Sequence, residues 1–573
     1  MAHSRPARPH RPGRAEPTLH PLPPRWTLAL LPVVAAGLLL VGAAVGPSSS
    51  TETRYCAMAR EMVESGDLVV PRFNGAPLLE KPPFEYWATS TAFRLFGVSD
   101  VVARLPHLLA GALVVLLVGF VVRRLSPSGG PWRGRLAALA LATMPSFLVQ
   151  TYAIAPDAFL LVTTTLAGWA LLEADRCTER VPRRWPLLLW GACGLSMLVK
   201  GPLALVLVGG AAAATALVRR SARILRPFAS PLGVVLFAAI AVPWYLVLDA
   251  RLPGALDALV RRRLFGGMGS AADFHAHGPW TVWAPFVGAF PWLAMVPAAI
   301  LALRRDRRFR DGPGLPLVCL ALAAPVLFSF AAARLASYTS PAYPFVAVLV
   351  GLGVPAPEED PASRAVRWSR GELARATIGY AVVALALAVV VTVVGVVATP
   401  AVVAAWAAAA ACAAVVLVPG PRALFARPVP RAALAVVLLL GGAGAVAAAR
   451  PERVGSARGI HEAYVAARRP GESVAAWMNY NGDWGLLPWY ERGEVVFFGY
   501  PSPPMIVAPE AHRPDLFRPE EALEPWLRSP GRKFLMVRRR DRERLVRDGV
   551  PVEIVAAVHE YELLATPASA ERR

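Results

Sequence analysis

The sequence predicts an α-helical membrane protein that crosses the bilayer many times and ends in a small α/β domain. Its 573 residues are 55% hydrophobic and only 17% charged, with a mean hydropathy of +0.46. Soluble domains carry about a quarter charged residues, so this apolar excess indicates a lipid environment. The net charge of +21 does not indicate a nucleic acid partner, because most arginines lie in short loops between apolar runs.

Apolar runs of a length that can cross a hydrocarbon core predict about thirteen spanning helices. They centre on residues 28–46, 104–122, 135–152, 156–173, 186–199, 202–218, 230–248, 280–302, 315–333, 340–355, 377–398, 400–418 and 431–449. A basic arm, residues 1–25, precedes a transmembrane domain at 26–449. The first run resembles a signal peptide, but its length and the many runs behind it favour an uncleaved span.

The arginines predict the topology. Alternate loops are rich in arginine, beginning with Arg123, Arg124, Arg133 and Arg135, and all lie on the side of the basic N-terminus. Because positive loops face the cytoplasm, the N-terminus is expected there. The outer face then receives residues 47–103, the loop at Asp157, residues 250–279, the turn 334–340 and the tail 450–573.

Residues 47–103 form a polar loop between two apolar runs and are rich in side chains capable of chemistry. They include Glu52, Arg54, Tyr55, Glu80, Lys81 and Tyr86. Two stretches, RYCAMAREMVES and EYWATSTAFRLFG, have the spacing of amphipathic helices lying along a membrane surface. Prolines and an Asn-Gly pair between them predict turns that present Glu80 and Lys81 rigidly. Alternatively, these two residues are a solvated pair, and Glu52 is an acid beside the helix dipole.

Four further residues interrupt apolar sequence at the outer face. Asp157 follows a proline and either caps a helix or serves as a functional carboxylate, since an acid deeper in a span costs about 2.5–3.5 kcal/mol. Lys200, in MLVKGPLALVL, either extends to the interface or joins the site. Arg334 and Tyr338 lie at a break between two spans, where Tyr338 could equally be an interfacial aromatic.

The loop RRRLFGGMGSAADFHAHGPW contains arginines at 261–263 and histidines at 275 and 277. Positive residues on the outer face run against the topological rule, so a bound anion is a reasonable expectation for Arg262 and Arg263. His275 and His277 could bind a divalent metal ion, although such pairs more often do not.

The tail, residues 450–573, alternates apolar runs with helix-like segments, which predicts a small α/β domain. It has no glycine-rich nucleotide loop, so no nucleotide cofactor is expected. The five cysteines show neither a disulfide framework nor metal-ligand spacing.

Carboxylates and cations at one membrane face suit group transfer from a lipid-linked phosphate. A carboxylate base would deprotonate an acceptor hydroxyl, and the cations would stabilise the departing phosphate. The alternative is a non-catalytic lipid-carrier-binding protein or a transporter. Transporters usually place polar groups near the bilayer midplane, however, and here they gather at one face.

The stretch from Thr51 to Trp87 resembles the first outer loop of the ArnT-like bacterial glycosyltransferases, the aminoarabinose transferase group related to protein O-mannosyltransferases. The matching residues are Glu52, Tyr55, Met62, Gly66, Asp67, Pro71, Asn74, Gly75, Glu80, Lys81, Pro82, Pro83, Tyr86 and Trp87. LVKGP at 198–202 and the run from Arg334 to Pro341 are shorter matches.

The resemblance implies a GT-C fold and an inverting glycosyltransferase of the bacterial inner membrane. The donor would be a polyprenyl-phosphate sugar, and the acceptor a glycolipid such as lipid A, a polysaccharide or a protein. Lys81 and Tyr338, with Arg54, Arg262 and Arg263, would bind the donor phosphate. Tyr55, Tyr86, Lys200 and Arg334 would contact substrate. Glu80 with His275 or His277 would match a metal site.

One departure concerns the catalytic base. The family usually has aspartate where this chain has Thr51, and threonine cannot act as a carboxylate base. Glu52 or Asp157 therefore takes the role, or the geometry tolerates a shifted carboxylate, or the chain is inactive. The non-catalytic alternative rests on the same residue.

Overall fold

The computed structural model describes residues 46–47, 49–126, 130–259, 278, 280–289, 292–305, 308–331, 334–353, 458–477, 486–491, 495–499, 513–558 and 561–567. The α-helices are α1 (Ser50–Ser65), α2 (Phe84–Phe96), α3 (Asp100–Leu125), α4 (Gly130–Ala142), α5 (Pro145–Tyr152), α6 (Asp157–Arg176), α7 (Arg184–Lys200), α8 (Leu203–Arg219), α9 (Pro231–Arg251), α10 (Ala255–Leu259), α11 (Trp280–Val287), α12 (Val296–Arg305), α13 (Gly314–Ser329), α14 (Tyr343–Gly353), α15 (Arg458–Ala467), α16 (Leu486–Tyr490), α17 (Leu523–Arg528) and α18 (Arg539–Arg547).

Three of the described helices, α3, α6 and α9, are long and apolar enough to cross a membrane. The helix α6 lies inside the bundle and α9 at its edge, since 83% and 22% of their most apolar windows are buried. These helices agree with a multi-pass membrane protein. The predicted spans at 377–398, 400–418 and 431–449, and residues 28–45 of the first, lie outside the described residues.

Two predicted spans are wrong because each is divided. The run 135–152 forms α4 and α5, which are separated at Thr143 and Met144. Pro145 begins α5, where its missing N–H costs nothing. Trp292 Nε1 donates to Thr143 Oγ1 at 3.0 Å across the break. The run 280–302 is likewise divided into α11, a 3₁₀ turn at Trp292–Met295 and α12.

Ion pairs distinguish the two ends of the bundle. At one end Arg219 pairs with Asp175 at 2.8 Å, and Arg124 pairs with Glu173 at 3.2 Å. We call this the arginine end. The opposite end carries α1 and α2, and we call it the loop end. Within the described chain, arginine-rich connections thus meet at one end, as the predicted alternation requires.

A six-stranded sheet lies in the described part of the tail. Its strands are β3 (Val474–Trp477), β4 (Val496–Phe498), β5 (Phe517–Arg518), β6 (Phe534–Arg538), β7 (Glu553–Val558) and β8 (Tyr561–Ala565). The order is β5-β4-β3-β6-β8-β7: the first four are mutually parallel, and β8 and β7 add as antiparallel neighbours.

The sheet and the first polar loop share one hydrophobic core. A short hairpin, β1 (Arg72–Phe73) and β2 (Ala76–Pro77), brings the Phe73 ring 6.1 Å from Phe497 of β4. Phe93 of α2 stacks on Trp489 at 5.7 Å. The prediction that α1 lies along a membrane surface is therefore wrong. Its residues 52–60 are all buried, because the tail covers the face that such a helix would expose.

Candidate active site

The helix α1 positions three of the predicted residues. The hydroxyl of Ser49 accepts a hydrogen bond from the Glu52 amide at 3.2 Å, which satisfies one of the free N–H groups at the helix start. Gly66 ends the helix with a φ of +72°, a left-handed conformation that glycine adopts without strain. Glu52, Arg54 and Tyr55 follow in the first turns and are buried, whereas Thr51 is exposed.

Glu52 is enclosed in a buried ion pair. Arg104 of α3 donates to its Oε1 at 3.0 Å, and the Ile154 amide donates to the same oxygen at 3.1 Å. Arg104 is itself fully buried and also donates to the carbonyls of Gly46 and Tyr152. A carboxylate held in this way connects α1, α3 and the segment after α5. The Glu52 carboxylate is buried to the same degree as that of Asp157, and its assignment as a base stays a prediction.

Glu80 forms a second buried ion pair, with Arg54. Arg54 donates to its two oxygens at 2.6 and 3.0 Å, and the Tyr55 hydroxyl donates at 3.1 Å. Burial acts to lower the pKa of Arg54, but the Glu80 carboxylate more than offsets this, so the pKa lies above its ordinary value. Tyr86 packs edge-on against Tyr55 at 5.8 Å. Arg54 therefore fixes the position of Glu80, and Tyr86 packs on Tyr55, the second donor to Glu80.

The hairpin before Glu80 is held from both sides. Asn74 and Gly75 have φ values of +53° and +80°, as a tight hairpin turn requires. Their amides donate to Glu61 at 2.6 and 3.0 Å, and Asn74 Nδ2 donates to the Val495 carbonyl at 2.8 Å. Burial raises the pKa of Glu61, and the two amides only partly oppose it. The Asn-Gly match is thus structural: it fixes the loop to the tail.

Lys81 follows this braced segment directly. It is half-buried, and Pro82 and Pro83 behind it are buried. Because proline fixes its own φ, the path from Glu80 into α2 has little freedom. The backbone at Lys81 is therefore restricted on both sides, and the presentation of its ammonium group to a phosphate stays a prediction.

Asp157 and Lys200 form the second cluster at the loop end. Lys200 Nζ donates to Asp157 Oδ1 at 2.8 Å, and it lies 4.9 Å from the centre of the Tyr338 ring. Tyr338 packs against Phe328 at 4.5 Å. Asp157 is also the acid in the first turn of α6, directly after the N-cap Pro156, where the helix dipole stabilises a carboxylate, so the helix-start alternative stays open.

Aromatic rings join the two clusters. Phe84, at the start of α2, lies 5.2 Å from Phe159, which is two residues after Asp157. Phe84 also packs on the apolar cluster that contains Val199, the neighbour of Lys200. The start of α2, three residues after Lys81, therefore packs against the helices that carry Asp157 and Lys200.

Other predicted residues are less informative. Arg334 is half-buried and donates to the Ser329 carbonyl at 3.2 Å. Arg262, Arg263, His275 and His277 lie outside the described residues. Among those described, no three His, Cys, Asp or Glu side chains form a metal-binding group. The metal assignment for Glu80 stays a prediction, and no chemical step below depends on it.

Sequence reasoning missed three buried residues. Arg104 and His107 lie in an apolar run, where charged residues are costly unless paired. Arg60 donates to the carbonyls of Trp489 and Pro488 at 2.6 and 2.9 Å. The position of Arg104 and His107 inside an apolar run was the available signal, whereas nothing in the sequence indicates the partners of Arg60.

Comparison with known proteins bears on this arrangement. Residues 47–258 match the family model described as dolichyl-phosphate-mannose-protein mannosyltransferase. An undecaprenyl phosphate-α-4-amino-4-deoxy-L-arabinose arabinosyl transferase of Pectobacterium atrosepticum is 30% identical over 318 residues, 53% of this chain and 54% of that protein. The protein named arabinosyl transferase 1 of the same kind, from Sodalis glossinidius, is 32% identical over 308 residues, which cover 52% of this chain and 53% of that protein.

The crystal structure of ArnT from Cupriavidus metallidurans bound to undecaprenyl phosphate superimposes with a TM-score of 0.78, at 21% identity, over 95% of this chain and 98% of that one. The chain has the fold of that protein. The apo form of that protein gives 0.76 at 22% identity. The resemblance drawn from the loop motif is thereby confirmed, and the chain has the GT-C type of membrane fold. It spans about half the length of the curated relatives it matches.

Proposed function

We propose that this chain is an inverting membrane glycosyltransferase that moves a sugar from a polyprenyl-phosphate carrier to an acceptor at the loop end. One observation carries the proposal. Lys81 follows a buried, cross-braced Glu80, and Phe84, three residues later, packs on Phe159 of the helix that begins at Asp157, the partner of Lys200. Cations for a phosphate and a carboxylate for an acceptor are therefore held on rigid elements, as group transfer requires.

In the proposed reaction Asp157 is the base. It takes the proton of an acceptor hydroxyl, whose oxygen attacks the anomeric carbon of the sugar. The bond from that carbon to the phosphate oxygen breaks, and the lipid phosphate leaves with the electron pair. Lys81 stabilises the departing phosphate, and Lys200 orients the Asp157 carboxylate through its 2.8 Å hydrogen bond. The polyprenyl phosphate class is supported by the ligand of the similar ArnT structure.

The proposal includes the orientation and the architecture. The loop end faces outward from the bacterial inner membrane and the arginine end faces the cytoplasm, consistent with positive loops inside. About thirteen spanning helices lie at 26–449, and an outer α/β domain follows at 450–573. The acceptor is an envelope glycolipid, a glycan or a protein.

Lys81→Ala tests the phosphate role. With a polyprenyl-phosphate sugar donor and an envelope lipid acceptor, kcat/KM should fall by about 10²–10³-fold, the effect of removing one such charge stabiliser. Arg94→Ala is the matched control, because it removes an exposed positive charge from the neighbouring α2. Full activity of Lys81→Ala would refute the assignment.

Thr51 and the enclosed Glu52 favour one rival, a carrier-binding protein without turnover. Wild-type protein that binds undecaprenyl phosphate but transfers sugar to no acceptor in a panel would establish that rival. Mass spectrometry of envelope glycolipids and glycoproteins from a strain lacking the chain would identify a product if transfer occurs.

A further inference from the structure

A third buried pair lies between the two clusters of the site. Glu85, in the first turn of α2, and His107, on α3, are both fully buried. His107 Nε2 lies 2.9 and 3.0 Å from the two carboxylate oxygens of Glu85. The Thr89 hydroxyl donates to the same carboxylate at 3.4 Å. Neither member of the pair is among the residues that the loop motif matches.

Burying two ionisable side chains in this core is unfavourable in free energy compared with burying apolar ones. Apolar side chains of similar volume often give equal or greater stability than a buried ion pair. Within the described part of the chain, the Nδ1 atom of His107 has no hydrogen-bond partner, which adds to the cost. Stability alone therefore does not explain the pair. Directional bonds do something that apolar contacts cannot: they favour one register of α2 on α3.

The register of α2 determines where Lys81 lies. Only Pro82, Pro83 and Phe84 separate Lys81 from Glu85, and the prolines restrict rotation between them. A slide or rotation of the first turn of α2 would therefore also displace the backbone of Lys81.

The same pair also contacts the helix that carries Asp157. The His107 ring lies 5.1 Å from Phe159, and Phe84 lies 5.2 Å from that same ring. Phe159 therefore contacts both His107 and Phe84, the neighbour of Glu85, and it lies within one helical turn of Asp157.

We propose that Glu85 and His107 are positioning residues that set the separation of Lys81 and Asp157 for sugar transfer. The inference rests on the proposed function. Neither residue is expected to touch the reacting atoms, since both are sealed from solvent. Their effect is geometric, and a displacement of about 1 Å can lower a rate by about 10²-fold.

Glu85→Gln keeps the shape of the side chain and removes its charge. Asp175→Asn is the matched control, because it makes the same change in a buried ion pair at the arginine end, about 27 Å along α6 from Asp157. Both variants should lose thermal stability. Only Glu85→Gln should lower kcat/KM by about tenfold or more and weaken binding of undecaprenyl phosphate. Equal effects of the two variants on kcat/KM and on binding would overturn the proposal.

Exchanging the pair, Glu85→His with His107→Glu, should restore part of the activity lost in Glu85→Gln if geometry is the cause. Hydrogen exchange across residues 76–96 provides a readout that needs no substrate. Glu85→Gln should accelerate exchange there, and Asp175→Asn should not. Unchanged exchange would overturn the inference even if transfer is observed. If Glu85→Gln accelerates exchange but the wild-type protein binds no donor, the proposed function is refuted. The role of the pair in fixing the position of α2 is still supported in that case.

Discussion

Glu52→Gln is expected to unfold the protein more easily rather than to remove a catalytic base. The amide can still accept from Ile154 and Arg104, but the fully buried guanidinium loses its counter-charge. Breaking a buried pair by neutralising one partner costs about 3–5 kcal/mol. Because Arg104 keeps the carbonyls of Gly46 and Tyr152, we expect the lower end, about 3 kcal/mol, or about 150-fold in the unfolding equilibrium.

Thermal unfolding of purified protein in detergent measures this loss. The decisive variant combines Glu52→Gln with Arg104→Gln, which removes both charges but keeps amide donors for the two carbonyls. Stability should return most of the way, since no uncompensated charge remains buried. Sugar transfer should return with it if Glu52 is structural.

A double variant that is as stable as the wild type and yet transfers no sugar would refute the reasoning. That result would mean that the Glu52 carboxylate acts in proton transfer. Normal stability of the single variant would also refute it, because Arg104 would then not need the charge.

Three further predictions follow from the same contacts. Asp157→Asn should lower kcat by about 10²–10⁴-fold with little change in donor binding, as loss of a general base does, and transfer kinetics with a binding assay would separate the two. Asn74→Ala should cost about 1–3 kcal/mol, because it strains a positive φ and loses the contacts to Val495, whereas Asn74→Gly should lose only the contacts; thermal unfolding distinguishes them. Burial opposes a lowered pKa of Glu491, but the hydrogen bond to His461 and the charge of Arg468 outweigh it, so the pKa lies below its ordinary value. Its stabilisation is present above pH 4.5 and should be lost as the pH falls below it, less so in Glu491→Gln.

Local features of the chain were predictable because their causes are local. Apolar runs require lipid whatever their neighbours are, so a multi-pass helical protein follows from composition. The Asn74-Gly75 turn follows from two residue types that tolerate positive φ. The break between α7 and α8 at Gly201 has the same cause, since Gly201 has a φ of +77°. The break before α5 is also local in origin, since Pro145 is the first residue of that helix.

The candidate site was predictable in its membership and not in its pairings. The loop motif and the alternation of arginines brought Glu80, Lys81, Asp157 and Lys200 to one end. Both Glu52 and Asp157 are buried and paired, and the cation that each carboxylate meets depends on which helices are adjacent. The spacing of Glu52 and Arg104 along the sequence gives no sign of their contact, because helix packing sets it.

The sequence by itself determined the class of protein, the polar loop at residues 47–103 and the residue types for binding a phosphate. Each of these depends on hydropathy, charge or turn chemistry within a short window. Only the tertiary structure decided that α1 is buried beneath the tail, that Arg104 forms an ion pair with Glu52 and that Glu85 contacts His107. Those facts depend on side chains from distant segments meeting inside one core, where an unpaired charge is costly and a paired one specifies the arrangement.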